Sequence, residues 1–325
     1  MSATLTLTAA CLVLSAVLSH ATQKLFQPEQ IIFASDFNIT SIIVPADSNI
    51  SMLQESSEIP NVFFTVSDPK LEGGSCIYVL QGLSAYEVIE GGRDTTSDFS
   101  SDTSIYFGTK NGIYIYDPDS LSAKKYGLFN DDIRQLQKAN GTDAIYILTN
   151  ENQLFKIEAN GSKKSRVPSV ACASEFVLDT SNNIYYIACG EFWPRVLRSD
   201  GSLIELTTNL MDDFTEIKLL RPAFLMDKSV PFIADGDLYI LYSNGTGEKK
   251  EFSLRERPSA YSVDAAIYIL AALDGKIYEF NVMEVLLKSM FGLADGIGDL
   301  TRIVLQLVDK AKDKNNIRGY HSFIK

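Results

Sequence analysis

The sequence predicts an all-β fold, a six-bladed β-propeller, followed by a C-terminal amphipathic helix. An apolar and aromatic strand motif recurs six times along the 325 residues, at intervals of 37 to 46 residues, which is the period of propeller blades. The motif is built mainly from Ile, Val, Tyr and Phe, the residue types that favour strands. Asn-Gly and Asp-Gly pairs, which are typical of tight hairpin turns, separate several of the strands.

An N-terminal segment, residues 1–21, is predicted to be a secretory signal peptide. Residues 5–18 form an uncharged apolar run, and small residues on either side of His20 follow it, as at a signal cleavage site. The run is too short to span a bilayer comfortably, and no later apolar run is long enough for a membrane anchor. The sequence therefore predicts a secreted, extracellular protein.

The propeller is assigned to residues 22–281. The second strands of the six repeats begin at Val62, Ile105, Ile145, Ile184, Val230 and Ile267. The fourth repeat shows all four strands, at 174–179, 183–188, 195–199 and 202–206, with a turn at Asp200-Gly201. The third and sixth repeats carry matching turns at 160–161 and 274–275.

Closure of the ring is predicted to use the N-terminal part of the chain. The sixth repeat has no further strand after Phe280, so we expect residues 30–34 to supply its outer strand. That arrangement would cover two open sheet edges. A two-sheet sandwich or two smaller β domains are the alternatives, and the even period disfavours both.

The residues after the propeller, 282–325, are predicted to form a helical tail. Leu300, Ile303, Val304 and Leu307 recur at helical spacing. Such a helix could pack on the ring, bind a partner or lie on a lipid surface.

Secretion would permit disulfides and glycans. Cys172 and Cys189 flank two predicted strands, and we expect a disulfide between them, which leaves Cys76 as a buried thiol or an intermolecular link. Five Asn-x-Ser/Thr triplets are candidate glycosylation sites, although Asn-Gly in three of them also suits a hairpin turn. The five are Asn38, Asn49, Asn140, Asn160 and Asn244.

Composition excludes several classes of function. A net charge of −12 disfavours nucleic acids and anionic membranes as partners. The two histidines, His20 and His321, lie near the two ends of the chain, so chemistry based on a core histidine is disfavoured. No phosphate-binding loop, nucleophile elbow or zinc motif is found. We therefore predict no catalytic residue, metal or cofactor, while Glu175 and Asp132 are the carboxylates that a metal-dependent hydrolase on this fold could use.

One loop is a candidate ligand site. Phe192 and Trp193 stand before Pro194, between two predicted strands, where aromatic rings could stack on a ligand or simply cover a hydrophobic edge. An acidic ligand would need local positive charge. We expect that charge to come from Arg195, Arg198 and Arg221.

The repeats resemble those of the ommochrome-binding proteins of insect haemolymph, which carry pigments derived from tryptophan. The resemblance spans residues 62–282 and rests on the segments 144–148, 183–186 and 273–281. The frame from Asp179 to Tyr185 is shared with six-bladed repeats of the YWTD and gluconolactonase-like types. The resemblance implies a secreted, non-catalytic carrier of a small aromatic pigment and supplies no binding residues. A calcium-dependent lactonase or phosphoester hydrolase and a protein-binding propeller are the alternatives.

Overall fold

The described part of the chain forms a six-bladed β-propeller, as the sequence predicts. The computed structural model describes residues 26–45, 61–97, 104–207, 214–222, 227–253, 256–262 and 268–281. The predicted signal peptide, the C-terminal tail and Asn49 lie outside these residues. Within them, the only helical element is a single 3-10 turn, Pro28–Gln30, and no helix is long and apolar enough to cross a membrane.

Each blade is a four-stranded antiparallel sheet. Blade 1 contains β2 (Asn38–Ile43), β3 (Val62–Ser67), β4 (Cys76–Gln81) and β5 (Ser84–Glu90). Blade 2 contains β6 (Gly92–Thr96), β7 (Tyr106–Thr109), β8 (Gly112–Asp117) and β9 (Ser122–Tyr126). Blade 3 contains β10 (Ile133–Lys138), β11 (Ile145–Thr149), β12 (Leu154–Glu158) and β13 (Lys163–Arg166). Blade 4 contains β14 (Ala173–Leu178), β15 (Ile184–Ala188), β16 (Pro194–Leu197) and β17 (Leu203–Ile204). Blade 5 contains β18 (Ile217–Leu219), β19 (Ser229–Ala234), β20 (Asp237–Tyr242) and β21 (Gly247–Ser253). Blade 6 contains β22 (Ala260–Ser262), β23 (Tyr268–Leu273), β24 (Lys276–Asn281) and, as its outer strand, β1 (Ile31–Ala34).

The ring closes through β1, which forms the outer strand of blade 6. Ile31 pairs with Tyr278, and Ala34 pairs with Lys276, so the prediction for residues 30–34 is confirmed. The turn at 274–275 has positive φ at both residues, 50° and 73°. A Cβ atom on Gly275 would lie 2.3 Å from the Ser35 carbonyl oxygen, so glycine allows β1 to reach its place.

The hydrophobic core lies between the blades. Side chains alternate across each sheet because successive residues of a strand point to opposite faces. In β15, Tyr186 packs with residues of blade 3, whereas Tyr185 packs with residues of blade 5. Both tyrosines are almost fully buried. Every such strand therefore joins two neighbouring blades, which explains why the repeats are rich in Ile-Tyr pairs.

The cysteines pair as predicted. Cys172 and Cys189 form a disulfide with their Cα atoms 5.6 Å apart, and it ties the start of β14 to the loop after β15. Cys76 is a buried free thiol on β4. Burial raises its pKa to about 12, which keeps the thiol protonated and unreactive.

The candidate glycosylation sites lie in different surroundings. Asn38, Asn160 and Asn244 are exposed. Asn140 is partly buried, and its side-chain amide donates to the Thr180 carbonyl oxygen at 2.9 Å. Attachment of a glycan at any of them stays a prediction.

Candidate ligand pocket at the channel mouth

A cavity of about 680 Å³ opens at one end of the central channel. It lies where the innermost strands begin, and blades 1 to 5 all contribute to its wall. The loop between β15 and β16 forms part of its rim. The residues that matter most for its chemistry are Arg93, Asp94, Arg134, Glu175, Phe192 and Lys218.

Four consecutive innermost strands carry a bulge at the cavity. In β2, β6, β10 and β14 the pairing with the next strand skips one residue. The skipped residues are Thr40, Arg93, Arg134 and Ser174. A bulge changes the direction of a side chain, and bulges are common beside binding sites. All four skipped residues line the cavity, so the bulges bring two guanidinium groups to its wall.

The two arginines differ in their partners. Arg93 forms an ion pair with the Asp132 carboxylate and donates to the Ile133 carbonyl oxygen at 3.2 Å. Arg134 donates through Nη2 to the carbonyl oxygens of Ser174 at 2.7 Å and Ala173 at 3.3 Å. Burial lowers the pKa of Arg134, and the nearby Glu175 opposes that change.

Glu175 forms an ion pair and a hydrogen bond with residues of blade 5. Its carboxylate lies 2.8 Å from the Lys218 ammonium group and accepts the Leu219 backbone N–H at 3.1 Å. The Coulombic attraction of Glu175 raises the pKa of Lys218, so this lysine is charged at neutral pH. The Lys218 side chain remains about half exposed, at 51%, while its ammonium group is paired with Glu175.

A partly buried carboxylate, Asp94, also lines the cavity. Asp94 accepts the Ser41 hydroxyl at 2.8 Å and the Leu136 backbone N–H at 2.9 Å. Burial raises the pKa of Asp94, and the Arg221 guanidinium opposes the rise. Arg221 donates to the Thr95 carbonyl oxygen at 3.2 Å, so it extends from blade 5 to the opposite blade 2 across the channel.

The aromatic loop borders the same cavity. Phe192 lines it with 51% of its surface exposed, and the neighbouring Trp193 is partly buried. Arg195 forms a two-point ion pair with Glu191, which also lines the cavity. Arg198 lies at the opposite end of β16 and donates to the Ser243 carbonyl oxygen at 2.9 Å.

Of the five predicted ligand residues, the structure therefore places Phe192 in the cavity wall and Trp193 beside it. Arg195 lies behind Glu191, Arg221 lies in the channel, and Arg198 is at the other end of the blade. Arg93, Arg134 and Lys218 were not predicted from the sequence. Their place depends on strand register, and no motif in the sequence marks a bulge.

The carboxylates considered for metal chemistry are occupied by neighbours. Asp132 pairs with Arg93 and accepts the Asn150 amide at 2.8 Å, and Glu175 pairs with Lys218. In the part of the chain that the structure describes, no three Asp, Glu, His or Cys residues are grouped to hold a metal ion.

Comparison with known proteins shows similarity at the level of fold. No protein-family model matches the chain, and no curated protein sequence matches it. Many solved structures do. One is a protein of unknown function from Bacteroides thetaiotaomicron, with 10% identity and a TM-score of 0.53 over 77% of this chain and 71% of that chain.

Two further solved structures are enzymes. A gluconolactonase from Xanthomonas campestris has 8% identity and a TM-score of 0.52, over 77% of this chain and 88% of that chain. The Kuenenia stuttgartiensis hydrazine synthase has 10% identity and a TM-score of 0.52, over 83% and 84%. At such low identity these structures support the propeller architecture alone, because one fold serves many functions.

Proposed function

We propose that this protein is a non-catalytic extracellular carrier of a small aromatic acid, with ommochrome-type pigments as the ligand class. The observation that carries the proposal is the cavity at the channel mouth. It combines three cations, of which Arg93 and Lys218 are each paired with a carboxylate and Arg134 is bonded only to backbone carbonyls among the described residues, with the exposed ring of Phe192 at its rim.

Size and chemistry of the cavity suit such a ligand. A volume of about 680 Å³ falls within the range of small-molecule pockets, roughly 300 to 1,000 Å³. A guanidinium group can bind a carboxylate through two parallel hydrogen bonds. An exposed phenylalanine offers a face for aromatic stacking. The protein as a whole has a charge of −12, and Asp94, Glu175, Glu191 and Glu216 also line the cavity. An acidic ligand therefore requires a cation that no carboxylate neutralises, which Arg134 supplies.

One further feature supports a location outside the cell, and another supports a role in binding. The Cys172–Cys189 disulfide is typical of proteins in oxidising compartments. Asp132 and Glu175 are each held in an ion pair, so neither carboxylate is free to act as a general acid or base. These pairs favour binding over hydrolysis as the role of the cavity.

A spectral titration tests the proposal. Trp193 is the single tryptophan of the chain and lies beside the cavity, so its emission reports on occupancy. Addition of xanthommatin should quench this emission and shift the pigment absorbance, with saturation at one pigment per protein. If neither signal changes, the pigment-carrier proposal is wrong. Lactone hydrolysis that requires calcium and stops with a chelator would instead establish the hydrolase alternative.

A further inference from the structure

Arg93 and Arg134 occupy equivalent positions in blades 2 and 3. Each is the residue that the strand pairing skips near the start of an innermost strand. Each also reaches the start of the innermost strand in the following blade, where Arg93 bonds the carbonyl of Ile133 and Arg134 bonds the carbonyl of Ala173. The repeat therefore places the two guanidinium groups in matching surroundings.

The residue before the contacted carbonyl differs between the two places. Asp132 precedes Ile133, and its carboxylate neutralises Arg93. Cys172 precedes Ala173, and it is bonded to Cys189. A disulfide thus stands in blade 4 where blade 3 has a carboxylate. As a result, no described carboxylate forms an ion pair with Arg134, and its described hydrogen bonds go to two backbone carbonyls.

This leaves a cation with unused donors at the cavity. Arg134 bonds its neighbours through Nη2, and within the described residues its Nε and Nη1 groups make no hydrogen bond. The Glu175 carboxylate, whose charge opposes the lowering of the pKa of Arg134, is already held by Lys218 and the Leu219 backbone N–H. A partly buried guanidinium has lost some of its hydrogen bonds to water, and here no anion of the protein replaces them.

We propose that Arg134 binds the carboxylate of the ligand, and that the Cys172–Cys189 disulfide keeps this guanidinium free by occupying the position of Asp132. The inference rests on the proposed function and identifies the group that recognises the acid. Phe192 follows Cys189 by three residues, so the same disulfide also fixes the aromatic wall beside the anchor.

Calorimetric titrations with 1-naphthoate and 1-naphthamide test the anchor, because the two probes share the ring system and differ in charge. We expect the unmodified protein to bind naphthoate about tenfold more tightly than naphthamide, because only naphthoate can form a charge-assisted hydrogen bond with the guanidinium. Arg134→Gln should remove this preference. Arg198→Gln is the matched control, since Arg198 also bonds a backbone carbonyl but lies at the other end of blade 4, and it should keep the preference.

A second variant is expected to bind naphthoate more tightly, and such an increase cannot result from a loss of folding. Asp132→Asn removes the carboxylate that neutralises Arg93, and it should strengthen naphthoate binding while leaving naphthamide unchanged. Equal binding of the two probes to the unmodified protein would overturn the proposal. So would a preference that survives in Arg134→Gln, or naphthoate affinity that Asp132→Asn does not raise.

The outcomes separate this inference from the pigment proposal. A naphthoate preference that depends on Arg134, without xanthommatin binding, keeps the anchor and rejects the pigment as ligand. Xanthommatin binding that is unaffected by Arg134→Gln rejects the anchor and keeps the carrier.

Discussion

At the scale of single residues, Asp94 links four of the six blades. It lies on blade 2 and accepts hydrogen bonds from Ser41 of blade 1 and Leu136 of blade 3. Arg221 of blade 5 adds a Coulombic attraction. Burial nevertheless outweighs these interactions and raises the pKa of Asp94 above its ordinary value of 3.8, because desolvation disfavours the charged form.

This shift predicts a pH dependence of stability. The folded protein binds the Asp94 proton more tightly than the unfolded chain does, so protonation stabilises the fold. That contribution is complete below pH 3.8 and is lost as the pH rises through the folded-state pKa. Asp94→Asn abolishes the titration.

Urea unfolding at several values between about pH 3.5 and pH 7 measures this effect. The free energy of unfolding of the unmodified protein minus that of Asp94→Asn should fall as the pH rises. A difference that grows with pH would contradict the account of Asp94.

At the scale of elements, the loop between β15 and β16 connects the fold to the site. It carries Glu191 and Phe192 at the cavity rim, and the disulfide joins its start to β14. Arg195, on β16, holds Glu191 from the other side of the loop. The loop is therefore fixed at both ends, and the position of Phe192 follows from these two attachments.

Removal of the disulfide should affect stability and binding together. The bridge spans 17 residues, and a loop of this length gives about 3 kcal/mol of stabilisation. The double variant Cys172→Ser, Cys189→Ser should lose about that free energy of unfolding in urea and should bind xanthommatin more weakly. Cys76→Ala, which changes a buried thiol on blade 1, is the control and should retain pigment binding. Unchanged pigment affinity in the double variant would show that the loop needs no covalent attachment.

The strands and their closure could be predicted from the sequence, and the bulges could not. Alternating apolar residues and Asp-Gly or Asn-Gly turns are local signals, so β15, β23 and the turn at 274–275 are as expected. A bulge depends on the register between two strands, and nothing near Arg93 or Arg134 in the sequence reports that register. Of the cavity wall, the sequence therefore predicted Phe192 on the loop and the Glu175 carboxylate, and neither arginine.

At the scale of the whole molecule, the ring brings charged residues from several blades together at one end of the channel. The chain has 41 acidic and 29 basic residues, and the innermost strands of blades 2, 3 and 5 bring Arg93, Arg134 and Lys218 to a channel mouth that Asp94, Glu175, Glu191 and Glu216 also line. In blades 1 to 4 the residue that the innermost strand skips lines the cavity, so small differences between repeats determine the chemistry of the site. The exchange of Asp132 for Cys172 between blades 3 and 4 is such a difference.

A crystal structure of the protein soaked with xanthommatin tests the central claim most directly. The account predicts density for one pigment at the channel mouth, with a ring against Phe192 and an acidic group within hydrogen-bond distance of Arg134. Pigment bound at the opposite end of the ring, near Arg198, or a mouth left empty by saturating pigment, would contradict it.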